Sequence, residues 1–213
     1  MSLPSEKISV DLSPTAHPSQ PSHPEFSQPE REQLIRIAHE AIDCALAEQS
    51  LRIETPSPPL CEPRGVFTTL YLHDQLRGCV GYVFPIMPLY QAVAETAEAA
   101  AFRDQRFPPV TDHEATHITV SLSVLSPLRT TSPEDVEIGT HGLIVSMNGR
   151  RGLLLPQVPV EHHWDRETFL ESTCLKAGLS RDAWRKGAQI EVFTAEVFGE
   201  RPGAKGSTTQ GSG

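Results

Sequence analysis

This sequence calls for an α+β fold in which helices flank a mainly antiparallel sheet. Its strand-like segments are joined as hairpins before and after the helical ones, without the regular strand–helix–strand alternation of a parallel sheet. Asn148-Gly149, set between two β-branched and aliphatic runs, is the strongest hairpin signal in the chain. With 213 residues and 38 % hydrophobic residues, the chain is long and apolar enough to bury a core as one domain or one domain of two lobes.

Residues 1–29 hold six prolines among Ser, His and Gln and cannot bury enough surface to offset ordering entropy, so a disordered N-terminal tail is expected. From 30 to 48, Leu34, Ile37, Ala38, Ala41 and Ala45 recur at three and four, the stripe of an amphipathic helix. Prolines 56, 58, 59 and 63 make residues 54–64 a stiff extended connector. Residues 65–72 (GVFTTLYL) and 76–84 (LRGCVGYVF) then read as a hairpin. Pro88 opens a helix with a small-residue face, which Pro108 and Pro109 end. Thr111 and Glu114 form a capping box for one short turn, and residues 118–125 alternate as a strand with one apolar and one hydroxyl side. After the hairpin at Asn148-Gly149, the prolines of LPQVP exclude that stretch from a central ladder and make it an edge or exit loop. Asp165 caps a helix that ends at Gly178, Ser180 precedes a short turn ending at Gly187, and residues 190–198 form one closing strand. Residues 199–213 are Gly/Ser-rich and read as a flexible tail, leaving a domain over 30–198 with its core from about 64.

Lys+Arg total 18 against 27 Asp+Glu, a formal charge of −9 that repels phosphate backbones, so nucleic acid is not an expected partner. No apolar run approaches a membrane span and the N-terminus lacks a signal-peptide core, so a cytoplasmic protein without a membrane role is expected. Cysteines 44, 61, 79 and 174 include no CxxC pair, which argues against a zinc knuckle or iron–sulfur cluster and for free thiols. Cys44 and Cys174 lie on helical faces as small core hydrophobes, and Cys61 lies exposed in the connector.

The segment Leu76-Arg77-Gly78-Cys79-Val80-Gly81 carries the main chemical candidate. On a regular strand Arg77 and Cys79 share a face, a nearby guanidinium favours thiolate over thiol, and Gly78 and Gly81 leave room for a ligand or another backbone. The competing reading is a buried structural cysteine beside a surface arginine. His113-Glu114-Ala115-Thr116-His117 matches H-E-x-x-H, the spacing that sets two imidazoles on one helix face for zinc with Glu as base, but it lacks a sustained helix. His162 and His163 are adjacent and read as solvated loop residues. His141 lies in a tight Gly139–Gly142 turn where its imidazole could titrate, and Lys176 lies in a last helical turn where a cation is favourable in any case. Arg103, Asp104, Arg106 and Phe107 leave their helix together, as an anion-binding corner or a charged helix end. There is no Gly-rich phosphate loop and no G-x-S-x-G elbow.

Taken in order, GVFTTLYL, LRGCVG, AAAFRDQRFPPVT, ITVSLSVLSPL, IGTHGLIV, RRGLLLPQVPVEHHWD and FLESTCLKAGL with DAW resemble the AMMECR-domain family, also called AmmeMemoRadiSam system protein A. The resemblance covers about residues 64–198. It implies an α+β fold of two unequal lobes with a cleft in which LRGC is a proposed site. It matches Arg77, Gly78, Cys79, Gly81, Arg106, Phe107, His141, Pro156, Trp164 and Lys176 to family positions, and Glu114 but neither His113 nor His117. Gln105 stands where the family often has proline, and Val80 where it has isoleucine. The family has no settled reaction; in microbes the resemblance implies a MEMO-like protein and a radical S-adenosylmethionine protein as partners, and no cofactor in this chain.

On these grounds Cys79 is expected to act as a nucleophile or covalent carrier on a small molecule or protein segment, Arg77 to lower its pKa and hold an anion, and His141 or Lys176 to move protons. Gly78, Gly81 and Arg106 are the expected ligand-binding positions. The alternative is a non-catalytic protein-binding module, and the third reading a zinc hydrolase on His113 and His117. Whether the chain is an enzyme stays open between them.

Overall fold

A computed structural model describes residues 24–54 and 56–200, and the expectations for the outer parts of both tails lie outside those residues. The structure is α+β, with two four-stranded sheets where one was expected. Their orders are β2-β1-β3-β8 and β4-β7-β5-β6. The chain divides into two compact units. One comprises Phe26–Leu122 and the return from Phe198, and the other is mainly Ser123–Val197. Among the described residues no helix is long and apolar enough to cross a membrane.

In the first unit, α1 (Gln28–Leu46) buries Leu34, Ile37, Ala38 and Ala41 of the expected stripe together with Ile42, while Ala45 is half-buried. It starts earlier than the sequence indicated: Glu30 accepts from the Ser27 backbone N–H at 2.8 Å, and Phe26 just before it is buried. The proline connector is less extended than expected, because Pro58–Cys61 turn as a 3₁₀ helix that buries Leu60. β1 (Val66–Leu72) and β2 (Gln75–Tyr82) pair antiparallel across His73 and Asp74, both at positive φ. α2 (Leu89–Phe102) lays its alanines on this hairpin; Thr96 and Thr68 meet at 2.7 Å beneath it. The capping box of Thr111 and Glu114 forms over α3 (Asp112–Ala115), and β3 (Ile118–Leu125) alternates buried and half-buried residues as its hydroxyl pattern predicts.

The second unit holds β4 (Arg129–Thr130), β5 (Gly142–Met147), β6 (Arg150–Leu154), α4 (Gln157–Glu161), α5 (Arg166–Lys176) and β7 (Gln189–Phe193). Asn148 and Gly149 lie at φ 52° and 75°, as a two-residue hairpin demands. LPQVP is not an edge strand or simple loop: Pro156 precedes the short helix α4, where the missing amide donors of a first turn cost nothing. Asp165 accepts from Thr168 N–H at 2.8 Å, and Gly178 follows α5 at φ 69°. Phe169, Leu170 and Cys174 of α5 pack with Leu143, Val145, Ile190 and Val192, and Trp164 joins the edge of that cluster.

The expected single strand over 190–198 is two strands in different sheets. β7 ends at Phe193 and β8 (Ala195–Gly199) joins the first sheet. Thr194 between them exchanges backbone bonds with Ser126, donating to its hydroxyl at 3.0 Å and accepting from its N–H at 2.9 Å. A uniform β pattern carries no mark of which sheet each half joins.

Candidate functional site

β2 is an edge strand, and its LRGC segment is built into the first unit rather than presented on it: residues 77–83 are all buried. The pairing slips here. Leu70 faces Gly78 and Tyr71 faces Leu76, which leaves Arg77 as the extra residue of a bulge. A bulge re-aims its side chain, and that of Arg77 turns to α3. Its Nε donates to Glu114 Oε1 at 3.0 Å and its Nη2 to Oε2 at 3.2 Å and to the Pro109 carbonyl at 3.3 Å. Nη1 is buried without a hydrogen-bond partner. Glu114 also accepts from the Thr111 N–H and hydroxyl at 2.9 and 3.0 Å. The Arg77 guanidinium, followed by the Thr111 amide, holds the Glu114 carboxyl down to about 2. A carboxylate held that far below its ordinary range is a weak base, so it does not fit the general base of an H-E-x-x-H hydrolase.

Cys79 has no exposed surface, and its sulfur meets the Thr69 hydroxyl at 3.3 Å. Burial pushes the thiol up, against the Thr69 bond and the charge of Arg106, with Asp104 adding to the rise. The expectation that Arg77 ionises Cys79 does not match this geometry, since the bulge sends the guanidinium to Glu114 and the cation acting on the sulfur is Arg106. Period-two reasoning misses it because one extra residue breaks the alternation on which it depends.

The backbone of Cys79 is held by a side-chain pair. Its N–H donates to Asp104 Oδ2 at 2.9 Å and its carbonyl accepts from Arg106 Nη2 at 3.3 Å, while Arg106 and Asp104 join each other at 2.8 and 3.0 Å. Carboxylate and guanidinium thus stand where a neighbouring strand would pair. Burial alone would raise the Asp104 carboxyl, but bonds from Arg106 and from the Cys79 amide outweigh it and hold the group below the usual range. Gly78 and Gly81 are spaces already filled. A Cβ on the first would lie 2.1 Å from the Ala100 carbonyl, and one on the second 2.2 Å from the Phe67 ring.

His141 and Lys176 belong to the second unit. His141 Nδ1 accepts from Glu137 N–H at 3.1 Å, and burial lowers its pKa. Lys176 is exposed in the last turn of α5. Asp104, Glu114 and Thr69 complete the arrangement around Arg77 and Cys79 without having been singled out for it. The capping box marks Glu114 in the sequence, but nothing local marks a partner 37 residues away. Among the described residues no three His, Cys, Asp or Glu side chains are grouped to hold a metal ion.

The AMMECR1 family model matches residues 35–198. The chain belongs to the AMMECR1 family. It is 48 % identical over 184 residues to the protein MK0488 of Methanopyrus kandleri, covering 80 % of this chain and 88 % of that one. Against MJ0810 of Methanocaldococcus jannaschii it is 44 % identical over 176 residues, 78 % of this chain and 88 % of the relative. The crystal structure of the uncharacterized protein PH0010 from Pyrococcus horikoshii is similar with a TM-score of 0.65 at 41 % identity, over 83 % of this chain and 94 % of that chain. The AMMECR1 match takes in the LRGC strand, the Asp104–Arg106 corner and Ser123–Val197 of the second unit.

Proposed function

We propose that this AMMECR1 chain is a non-catalytic binding component that works with a MEMO-like protein and a radical S-adenosylmethionine protein. One observation carries the reading: each chemical group of the LRGC strand is spent on the fold. Cys79 is sealed against Thr69, its backbone is bridged by Asp104 and Arg106, and Arg77 is bound to Glu114. A thiolate nucleophile needs access and a lowered pKa, and Cys79 has neither. The partners follow from the family resemblance.

The docking surface in this reading is the exposed corner just past α2, formed by Arg103, Gln105 and the part-exposed Arg106. Arg103 is paired only at the surface, with Glu98 at 3.4 Å, and such a pair exchanges readily for an acidic patch on the MEMO-like partner. Co-purification from cells expressing all three proteins tests it. Cys79→Ser should keep the complex, and Arg103→Glu with Gln105→Glu should lose it. A complex that survives both substitutions refutes the surface. A complex or product lost in a well-folded Cys79→Ser variant restores the thiol as the working group.

A further inference from the structure

The HEATH segment fails as a hydrolase centre, yet its two histidines remain unaccounted for. His113 lies in α3 and His117 two residues past its end, with ring centroids 5.4 Å apart and planes 27° from parallel. His73, on the β1–β2 turn, brings a third ring to 5.9 Å from that of His117. All three side chains are exposed, so no core packing explains why the rings gather.

One ring nitrogen of His117 is engaged by oxygens of its own turn. The Thr116 hydroxyl donates to the His113 carbonyl at 3.0 Å, which uses its one hydrogen. His117 Nδ1 lies 2.8 Å from that hydroxyl oxygen and 3.0 Å from the same carbonyl, so this nitrogen is engaged within the turn. Nε2 is the ring nitrogen that these bonds leave for a ligand. A ligating histidine whose second nitrogen donates to a backbone carbonyl is held in this way. The turn is anchored from behind, because Glu114 caps it at Thr111 and is clamped by Arg77.

We propose that His113 and His117 form a two-imidazole chelate for a borderline divalent ion, of the class of Zn²⁺ or Cu²⁺, completed by water. Imidazole pairs suit such ions, and the χ2 of His113 turns freely enough to bring its ring to that of His117, which already lies beside it. A chain of charge −9 gathers cations. The chelate does not depend on the binding role proposed above, and it assigns Glu114 no part in hydrolysis.

Titration of the full chain, free of any polyhistidine tag, with ZnCl₂ by calorimetry tests the site. One saturable equivalent is expected, released on acidification because ligating imidazoles must be neutral. His113→Ala and His117→Ala should each weaken it roughly tenfold or more. The pair His162→Ala and His163→Ala should leave it unchanged. With Cu²⁺ in place of Zn²⁺, the electron paramagnetic resonance spectrum should show nitrogen coupling that diminishes in either single variant. Absence of saturable uptake, or uptake that persists in both single variants, overturns the proposal.

Discussion

A methyl group at position 78 would sit 2.1 Å from the carbonyl oxygen of Ala100, in the backbone of α2, where only the helix itself can give way. Gly78→Ala should therefore destabilise the protein by about 3 kcal/mol, the upper end for overpacking a filled core. Urea unfolding measures it, and a midpoint equal to wild type would mean α2 is not held against β2. Glu114 makes a second prediction, because removing it strands the charge of Arg77, whose side chain is only 9 % exposed. Glu114→Gln should cost about 3 kcal/mol near neutral pH, the lower bound for breaking a buried pair, since Glu114 itself is partly exposed. The pH dependence has a fixed sign. The folded carboxyl is held near 2 against an ordinary 4.5, so the unfolded chain takes up the proton first as pH falls. The advantage of wild type over the variant should be full above 4.5, shrink below it and vanish near 2. An advantage unchanged down to pH 3 would contradict the ion pair.

At the level of elements, the second unit contains its own acid-sensitive joint at the start of β5. The Glu137 amide donates to His141 Nδ1, so protonating that nitrogen removes the bond and leaves a charge in a buried place. Burial lowers the folded pKa below the ordinary 6.5, so its stability contribution is complete above 6.5 and declines as pH falls below it. Both tryptophans, Trp164 and Trp184, lie in this unit, so their emission reports it selectively. Urea midpoints followed by that emission should fall between pH 7 and pH 5, and the fall should flatten in His141→Gln; an equal fall in the variant assigns it to other groups. Elements of this kind were legible in the sequence wherever a local signal sets them: the Asn148-Gly149 turn, the Asp165 cap, the Thr111–Glu114 box and the alternation of β3. What was not legible depended on distant partners. The Arg77 bulge exists because α3 offers Glu114, and the break at Thr194 exists because β7 and β8 belong to different sheets. Neither cause lies within a window of neighbouring residues, and the misplaced Arg77–Cys79 pairing follows directly from the first.

Over the whole molecule, the order of the chain makes the two units unequal in how they depend on the C-terminus. The first unit is discontinuous in sequence: the chain leaves it within β3 and returns to it within β8. The returning segment supplies the last strand of the first sheet. It also brings Glu200, whose carboxylate accepts from the Val120 N–H at 2.9 Å and meets His39 Nε2 at 2.8 Å, and Phe198, whose ring lies 6.3 Å from that of Phe26 and under the guanidinium of Arg31. Contacts this far apart in sequence close the first unit only when residues 195–200 are present. The second unit, by contrast, is nearly continuous and has its own cluster around Phe169 and Val145. Ending the chain after Thr194 should thus raise amide exchange in β1, β2 and β3 well before it does so in β5, β6 and β7, as a mass-spectrometric exchange experiment would read. Equal protection of both sheets in the shortened chain would mean that β8 contributes nothing to the first sheet's stability. Loss from β5, β6 and β7 first would mean that the order of dependence runs the other way.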